Sequence, residues 1–164
     1  MSLWLCYRLM SLKGYGMTNM LCGEQNPVPL TSVRKGMIGE LAVQMELLKG
    51  GYNVFTPVID DFGVDLVVAS PSKSKFWKVQ VKHITKLTTT SSVELRTRQL
   101  ELVDIVSVYY APIGVAHIPI KEFKKPKKKT QDRSSVHLAL FTASNNQEIG
   151  RKYFYQFMKF PEFE

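Results

Sequence analysis

Two short apolar runs in the first half of the chain carry polar residues where a buried strand tolerates few. They are Gly63-Val64-Asp65-Leu66-Val67-Val68 and Lys78-Val79-Gln80-Val81-Lys82-His83. Side chains alternate between the two faces of a strand, so Gln80 and Lys82 leave the same face. Asp65 interrupts the Val/Leu run before them, and Glu40 lies upstream on a helical pattern. Burying a carboxylate, an amide and an ammonium is costly unless they pair with one another or bind something. The set suits a metal ion and a phosphate.

The elements around these runs can be read from periodicity and turn chemistry. Thr31-Ser32 suits a helix N-cap. Arg34, Ile38, Leu41, Met45 and Leu48 then follow at helical spacing, and Met37, Ala42 and Leu47 widen the stripe. The helix over residues 32–49 is expected to pack on a sheet through Ile38, Leu41, Met45 and Leu48. Gly50-Gly51 ends it, because glycine takes the left-handed C-terminal conformation without a Cβ penalty. Residues 52–58, 64–69 and 76–84 read as strands, with turns through Asp60-Asp61-Phe62-Gly63 and Pro71-Ser72-Lys73-Ser74. A Thr/Ser-rich loop over 85–92 precedes a stretch, 93–102, that suits either a short strand or a helical turn. Residues 105–110 and 115–120 form a hairpin, 136–142 adds a strand, and 149–158 reads as a last helix rich in Tyr and Phe. This order predicts an α/β fold with a mixed central sheet flanked by helices.

A length of 164 residues supports one domain with its own core, expected over residues 31–164 after an irregular Gly- and Pro-containing extension, 1–30. The net charge of +8 is unevenly placed: residues 121–133 hold six Lys and one Arg against Glu122 and Asp132, a net of +5. A basic loop of this kind suits a phosphate backbone, although a solvated tether has the same composition. Cys6 and Cys22 have neither a metal spacing nor the look of a disulfide framework. No apolar run is long enough for a signal core or a membrane span. An intracellular protein, cytoplasmic or nucleoid-associated, is the expectation.

Hydrolysing a phosphodiester requires a divalent cation, a water made nucleophilic and something to offset charge in the transition state. Magnesium takes hard oxygen ligands, usually one or two carboxylates plus waters. Asp65 is the best first ligand, Gln80 offers an amide oxygen, the Val81 carbonyl lies between Gln80 and Lys82, and Glu40 can reach the same cation from the helix. Lys82 can hold the attacking water or stabilise developing negative charge. Each residue has a plainer alternative: Asp65 as a turn cap or structural partner of Lys82, Glu40 as an exposed carboxylate, Gln80 as a strand-edge amide, Lys82 as a solvated lysine. Glu40 lies 25 residues before Asp65, and Asp65 lies 15 before Gln80.

Glu40, Asp65 and Gln80-Val81-Lys82 resemble the signature of the PD-(D/E)XK nuclease superfamily: a helical Glu, a strand Asp after a short turn, then (Glu or Gln)-x-Lys on the next strand. The Gln-x-Lys form after Gly63-Val64-Asp65 resembles its Holliday-junction-resolvase-like branch, which includes an intron homing endonuclease. Residues 104–110 and 116–120 resemble that branch's later strand pair, so the likeness covers roughly 33 to 123. It implies a restriction-endonuclease-like core and an Mg²⁺-dependent endonuclease, Mn²⁺ substituting, that hydrolyses DNA at branched or unusual structures. Glu40, Asp65, Gln80 and Lys82 are then catalytic, and Asp65, Gln80 and Glu40 hold the metal. A homodimer or homotetramer is the implied assembly. Two departures stand out: Gln80 carries one negative charge fewer than Glu, and Val64, not Pro, precedes Asp65. A non-cleaving nucleic-acid-binding module and a nuclease acting on structured RNA are the alternative readings.

For nucleic acid, Arg96 and Arg98 are candidates after the Thr/Ser loop, with Lys124, Lys125, Lys127, Lys128 and Lys129 in the basic loop. Gly36 and Gly39 suit either close approach of a phosphate or tight helix packing. His83 points away from Lys82 and suits a core or surface role. Tyr153, Phe154, Tyr155, Phe157 and Phe160 suit a packed core better than a base-stacking platform.

Overall fold

Thr31 opens helix α1 (Ser32–Lys49) by accepting a hydrogen bond on its side chain from the Arg34 amide at 3.3 Å. The computed structural model describes residues 29–59, 63–85, 90–123, 132–139 and 152–161. The helix ends as its glycines dictate. Gly51 takes φ +81°, its amide donates to the Leu48 carbonyl, and the Tyr52 amide donates to that of Leu47.

Among the described residues eight strands follow: β1 (Asn53–Phe55), β2 (Leu66–Ala69), β3 (Phe76–Ile84), β4 (Thr90–Arg96), β5 (Ile105–Tyr110), β6 (Gly114–Pro119), β7 (Arg133–Ala139) and β8 (Lys152–Tyr153). They form a mixed five-stranded sheet, ordered β1-β2-β3-β5-β6, and a three-stranded sheet, ordered β4-β7-β8. In the larger sheet only the β3–β5 pair is parallel. This is the expected restriction-endonuclease-like α/β core with a mixed sheet.

The alternation along β3 separates two apolar layers. Trp77, Val79 and Val81 meet Val43 and Leu47 of α1 on one face, together with Leu66, Val68 and Ile105. On the other face Val106, Val108 and Ile118 of the main sheet meet Val93, Leu95, Val136 and Leu138 of the small sheet. No described helix is long and apolar enough to cross a membrane.

Several sequence expectations are corrected. The helix does not pack through Ile38, Leu41, Met45 and Leu48, which are 37 to 59% exposed; it packs through Gly39, Val43 and Leu47. An ideal Cβ on Gly39 would lie 3.0 Å from the His83 Cβ, so small residues set how closely the helix sits on β3. The strand expected over 52–58 shrinks to Asn53–Phe55, because four-residue β2 offers no longer partner and Pro57 lacks an amide hydrogen. Of the loop placed at 85–92, residues 90–92 begin β4, whose seven residues pair in full register with Arg133–Ala139. The stretch at 93–102 divides, a strand to Arg96 and a 3₁₀ turn over Thr97–Glu101. Arg133, assigned to the basic loop, starts β7. The last helix is absent where described: Lys152–Tyr153 pairs parallel with β7, and Phe154–Phe157 is a 3₁₀ turn. The turn residues Asp60 and Asp61, residues 1–28 of the extension, Lys124 to Lys129, and 140–151 lie outside the described residues.

Candidate active site

Strand β3 outlasts its neighbour. Its first half pairs with β2, ending where Val79 faces Leu66, while Val79 to Ile84 pair with β5 on the other side. Beyond Val79 the edge towards β2 is open, and main-chain groups of Val81 are left without a strand to meet. Asp65, the residue just before β2, fills that edge. Its amide donates to the Val79 carbonyl at 3.0 Å, and its Oδ2 accepts from the Val81 amide at 2.5 Å. A carboxylate thus takes the place of the next β2 carbonyl, satisfying a donor that could not be left bare.

Gln80, only 6% exposed, completes the edge. Its Nε2 donates to Asp65 Oδ2 and lies 3.3 Å from the Val81 carbonyl oxygen. Its Oε1 accepts from Gln99 Nε2 at 2.7 Å, and Gln99 Oε1 in turn accepts from the Arg96 amide at 3.1 Å. Gly63 closes over this pair of amides with φ +69°. A Cβ there would lie 2.3 Å from Gln99 Nε2 and 3.0 Å from Gln80 Oε1, so a side chain at this position would displace the two amides.

Lys82, half-buried on the same face as Gln80, has no carboxylate partner among the described residues. It lines a cavity of about 300 Å³ with Glu94, Leu95, Arg96, Arg98, Gln99 and Arg133. Four cationic side chains face one acid there, and Glu94 is already bridged to Arg133 at 2.7 Å. The cavity is therefore a natural seat for an anion.

The structure brings Asp65 and Gln80 into contact and places Lys82 on the adjoining cavity wall with Arg96 and Arg98. Glu40 is half-buried on α1, the helix covering the opposite face of β3. Among the described residues no three His, Cys, Asp or Glu side chains gather as a metal cluster. An amide and a main-chain carbonyl would have to complete any set at Asp65. His83 faces α1, donating from Nδ1 to the Lys35 carbonyl at 2.6 Å. Gln99 and Arg133 were not singled out from the sequence. Gln99 lay in the stretch of undecided structure, and Arg133 was counted only as loop charge.

A second polar pair is buried away from this edge. His117 Nδ1 and Ser107 Oγ lie 2.8 Å apart, and burial pushes the His117 pKa down to about 4. The ring packs edge-on against Phe160. A neutral imidazole in an aromatic setting fits a structural role.

Comparison with known proteins now decides the family. The family model of the PD-(D/E)XK endonucleases matches residues 31–159. The chain belongs to the PD-(D/E)XK endonuclease family. Membership makes it a nuclease, of a family that generally uses divalent metal ions. No curated protein matches it. Among solved structures, the bacterial homing endonuclease I-Ssp6803I is similar at 22% identity and a TM-score of 0.57, over 77% of this chain and 86% of that one. Hjc, a Holliday junction resolvase from Archaeoglobus fulgidus, aligns at 15% identity and a TM-score of 0.48, over 62% of this chain and 83% of its own. At 22% identity the first likeness shows a shared fold.

Proposed function

We propose that this PD-(D/E)XK endonuclease hydrolyses DNA phosphodiester bonds with Mg²⁺, for which Mn²⁺ can substitute. The observation that carries the reading is the meeting of the Asp65 carboxylate, the Val81 carbonyl and the Gln80 amide at the open edge of β3, beside the cationic cavity. The Gln80 NH₂ lies between Asp65 Oδ2 and the Val81 oxygen, so these two oxygens already converge on one donor. Oxygen donors of this kind suit Mg²⁺. Asp65, the Val81 carbonyl and the Gln80 amide oxygen would hold the cation, with Glu40 as a further carboxylate from α1. A bound divalent cation polarises phosphate oxygens and lowers the pKa of its water.

The remaining work belongs to the chain's own side chains. Lys82 offsets negative charge building on the phosphate, or orients the attacking water. Arg96 and Arg98 grip neighbouring phosphates, and Lys124, Lys125, Lys127, Lys128 and Lys129 add sequence-independent affinity. The test incubates supercoiled, branched and linear DNA, and a structured RNA, with Mg²⁺, Mn²⁺ or chelator. Cleavage of DNA that chelator abolishes is expected, lost in Asp65→Asn and reduced by several orders of magnitude in Lys82→Ala with little change in binding. Chelator-resistant cleavage, or full activity in Asp65→Asn, would overturn the reading. Binding without cleavage under every condition would leave a non-cutting nucleic-acid-binding module on the same scaffold.

A further inference from the structure

We propose that Gln99 is a positioning residue that holds the Gln80 amide with its NH₂ towards Asp65, so that a cation can use the Gln80 oxygen only after that amide turns over. The proposal rests on the reading of Asp65 and Gln80 as cation ligands and extends it to a residue outside the family signature.

An amide side chain presents one acceptor and one doubly donating end. Gln80 spends its donors on Asp65 Oδ2 and the Val81 oxygen, and its oxygen on Gln99 Nε2 at 2.7 Å. In this orientation the Gln80 oxygen faces Gln99 and the nitrogen faces the oxygens that would bind a cation. Turning Gln80 over would set its NH₂ against the Gln99 NH₂, two donors facing each other. Gln99 cannot simply turn as well. Its own oxygen accepts from the Arg96 amide at 3.1 Å, and reversal would point NH₂ at that donor. The direction of one main-chain N–H is thus passed through two amides to the ligand set. Gly63 packs both amides in place, since even a methyl group there would collide with Gln99 Nε2. A glutamate at position 80 would meet no such conflict, because one carboxylate oxygen can accept from Gln99 while the other faces the cation.

Two substitutions separate these effects. Gln99→Glu keeps an acceptor for the Arg96 amide but sets an acceptor against the Gln80 oxygen, so the Gln80 amide, held then only by Asp65 Oδ2 and the Val81 oxygen, should lose its fixed orientation. Gln99→Met removes the donor without adding charge. The first readout needs no cation. In ¹⁵N-labelled wild-type protein, the Gln80 side-chain NH₂ should show an NOE to the Val81 amide proton, because both donate to Asp65 Oδ2. That NOE should weaken in Gln99→Glu, and an undiminished NOE would overturn the proposal. The second readout is calorimetric titration with Mn²⁺ on uncleaved, DNA-free protein. Removing one opposing hydrogen bond should tighten Mn²⁺ affinity by roughly five- to twentyfold in Gln99→Met. In a Gln80→Glu background the same substitution should bring no gain. Unchanged or weaker affinity in Gln99→Met, or an equal gain in the Gln80→Glu background, would also overturn the proposal. If wild type and Asp65→Asn bind Mn²⁺ equally poorly while the NOE behaves as expected, the cation reading of Asp65 and Gln80 falls, whereas the hold of Gln99 on Gln80 is upheld.

Discussion

Asp65 does two things with one oxygen, and any substitution there must be chosen with both in mind. Its Oδ2 satisfies the Val81 amide and the Gln80 NH₂. Asp65→Ala would strip both donors in a partly buried place, at a cost of about 1–3 kcal/mol, and lost activity could then reflect a loosened sheet edge. Asp65→Asn keeps an acceptor for Val81 and removes the charge, so it isolates the chemistry. His117 makes a different prediction. Its pKa falls from 6.5 unfolded to about 4 folded, so between those values the unfolded chain binds a proton that the native protein refuses. Stability should therefore drop on acidification across that window, by about 1.4 kcal/mol per pH unit at the steepest. Above pH 7 this residue should contribute no slope. Urea midpoints at pH 7 and pH 5 check it. His117→Gln, which can still bond Ser107, should flatten the dependence, and an unchanged slope would assign it to other groups.

Helix α1 shows how an element can be legible while its orientation is not. Its start at Thr31, its end at Gly50-Gly51 and its period were all readable, because caps and periodicity are local. Which stripe faces inward was not. The more apolar stripe, Ile38, Leu41, Met45 and Leu48, is the more exposed one, while Gly39, Val43 and Leu47 are buried. Hydrophobicity ranks stripes by side-chain size, whereas close approach to β3 selects small residues, and the His83 contact at Gly39 depends on the other element. Leu47→Ala should accordingly cost about 2–5 kcal/mol, as for a fully buried leucine. Leu41→Ala should stay within about 0.5 kcal/mol, as on a surface. Chemical denaturation of the two variants decides between the stripes, and equal costs would refute the orientation. The C-terminal misreading has a similar cause. Residues 152–157 carry helix-like aromatic spacing, yet Lys152 bonds both the Glu122 carbonyl and carboxylate, and Tyr153 pairs with Ala139. Those partners are distant in sequence. The site ran the other way: Asp65 and Gln80 were legible because polar residues inside apolar strands are rare, whereas Gln99 sits in a polar stretch where one more amide carries no signal.

At the scale of the whole molecule, positive charge has two sources, the cavity beside β3 and the lysine-rich segment of the sequence. The main sheet ends β3 beside the small sheet, and the cavity between them collects Lys82, Arg96, Arg98 and Arg133. The lysine-rich segment, the source of most of the net +8, is followed in sequence by Asp132 and by Arg133, which lines the cavity. The Thr97 amide donates to the Asp132 carbonyl at 2.9 Å, which ties that end of the segment to the turn carrying Arg98 and Gln99. A polyanion crossing the cavity would meet Lys82, Arg96, Arg98 and Arg133 directly. Each phosphate neutralised on duplex DNA steepens the log–log salt dependence of binding by about 0.9. Binding is best measured with Asp65→Asn, which should leave the DNA intact. Neutralising Lys124, Lys125, Lys127, Lys128 and Lys129 together should flatten the slope by a few units, and Arg96→Gln with Arg98→Gln should flatten it further by up to about two. Neither set touches Asp65, Gln80 or the Val81 carbonyl, so in the otherwise native chain the cation requirement for cleavage should not move. A slope unchanged by the lysine set would make that segment a solvated tether, and one unchanged by the arginine pair would remove Arg96 and Arg98 from the DNA path. Lys82 would keep its role in cleavage under either result, since its effect is read in the rate at saturating DNA and not in the affinity.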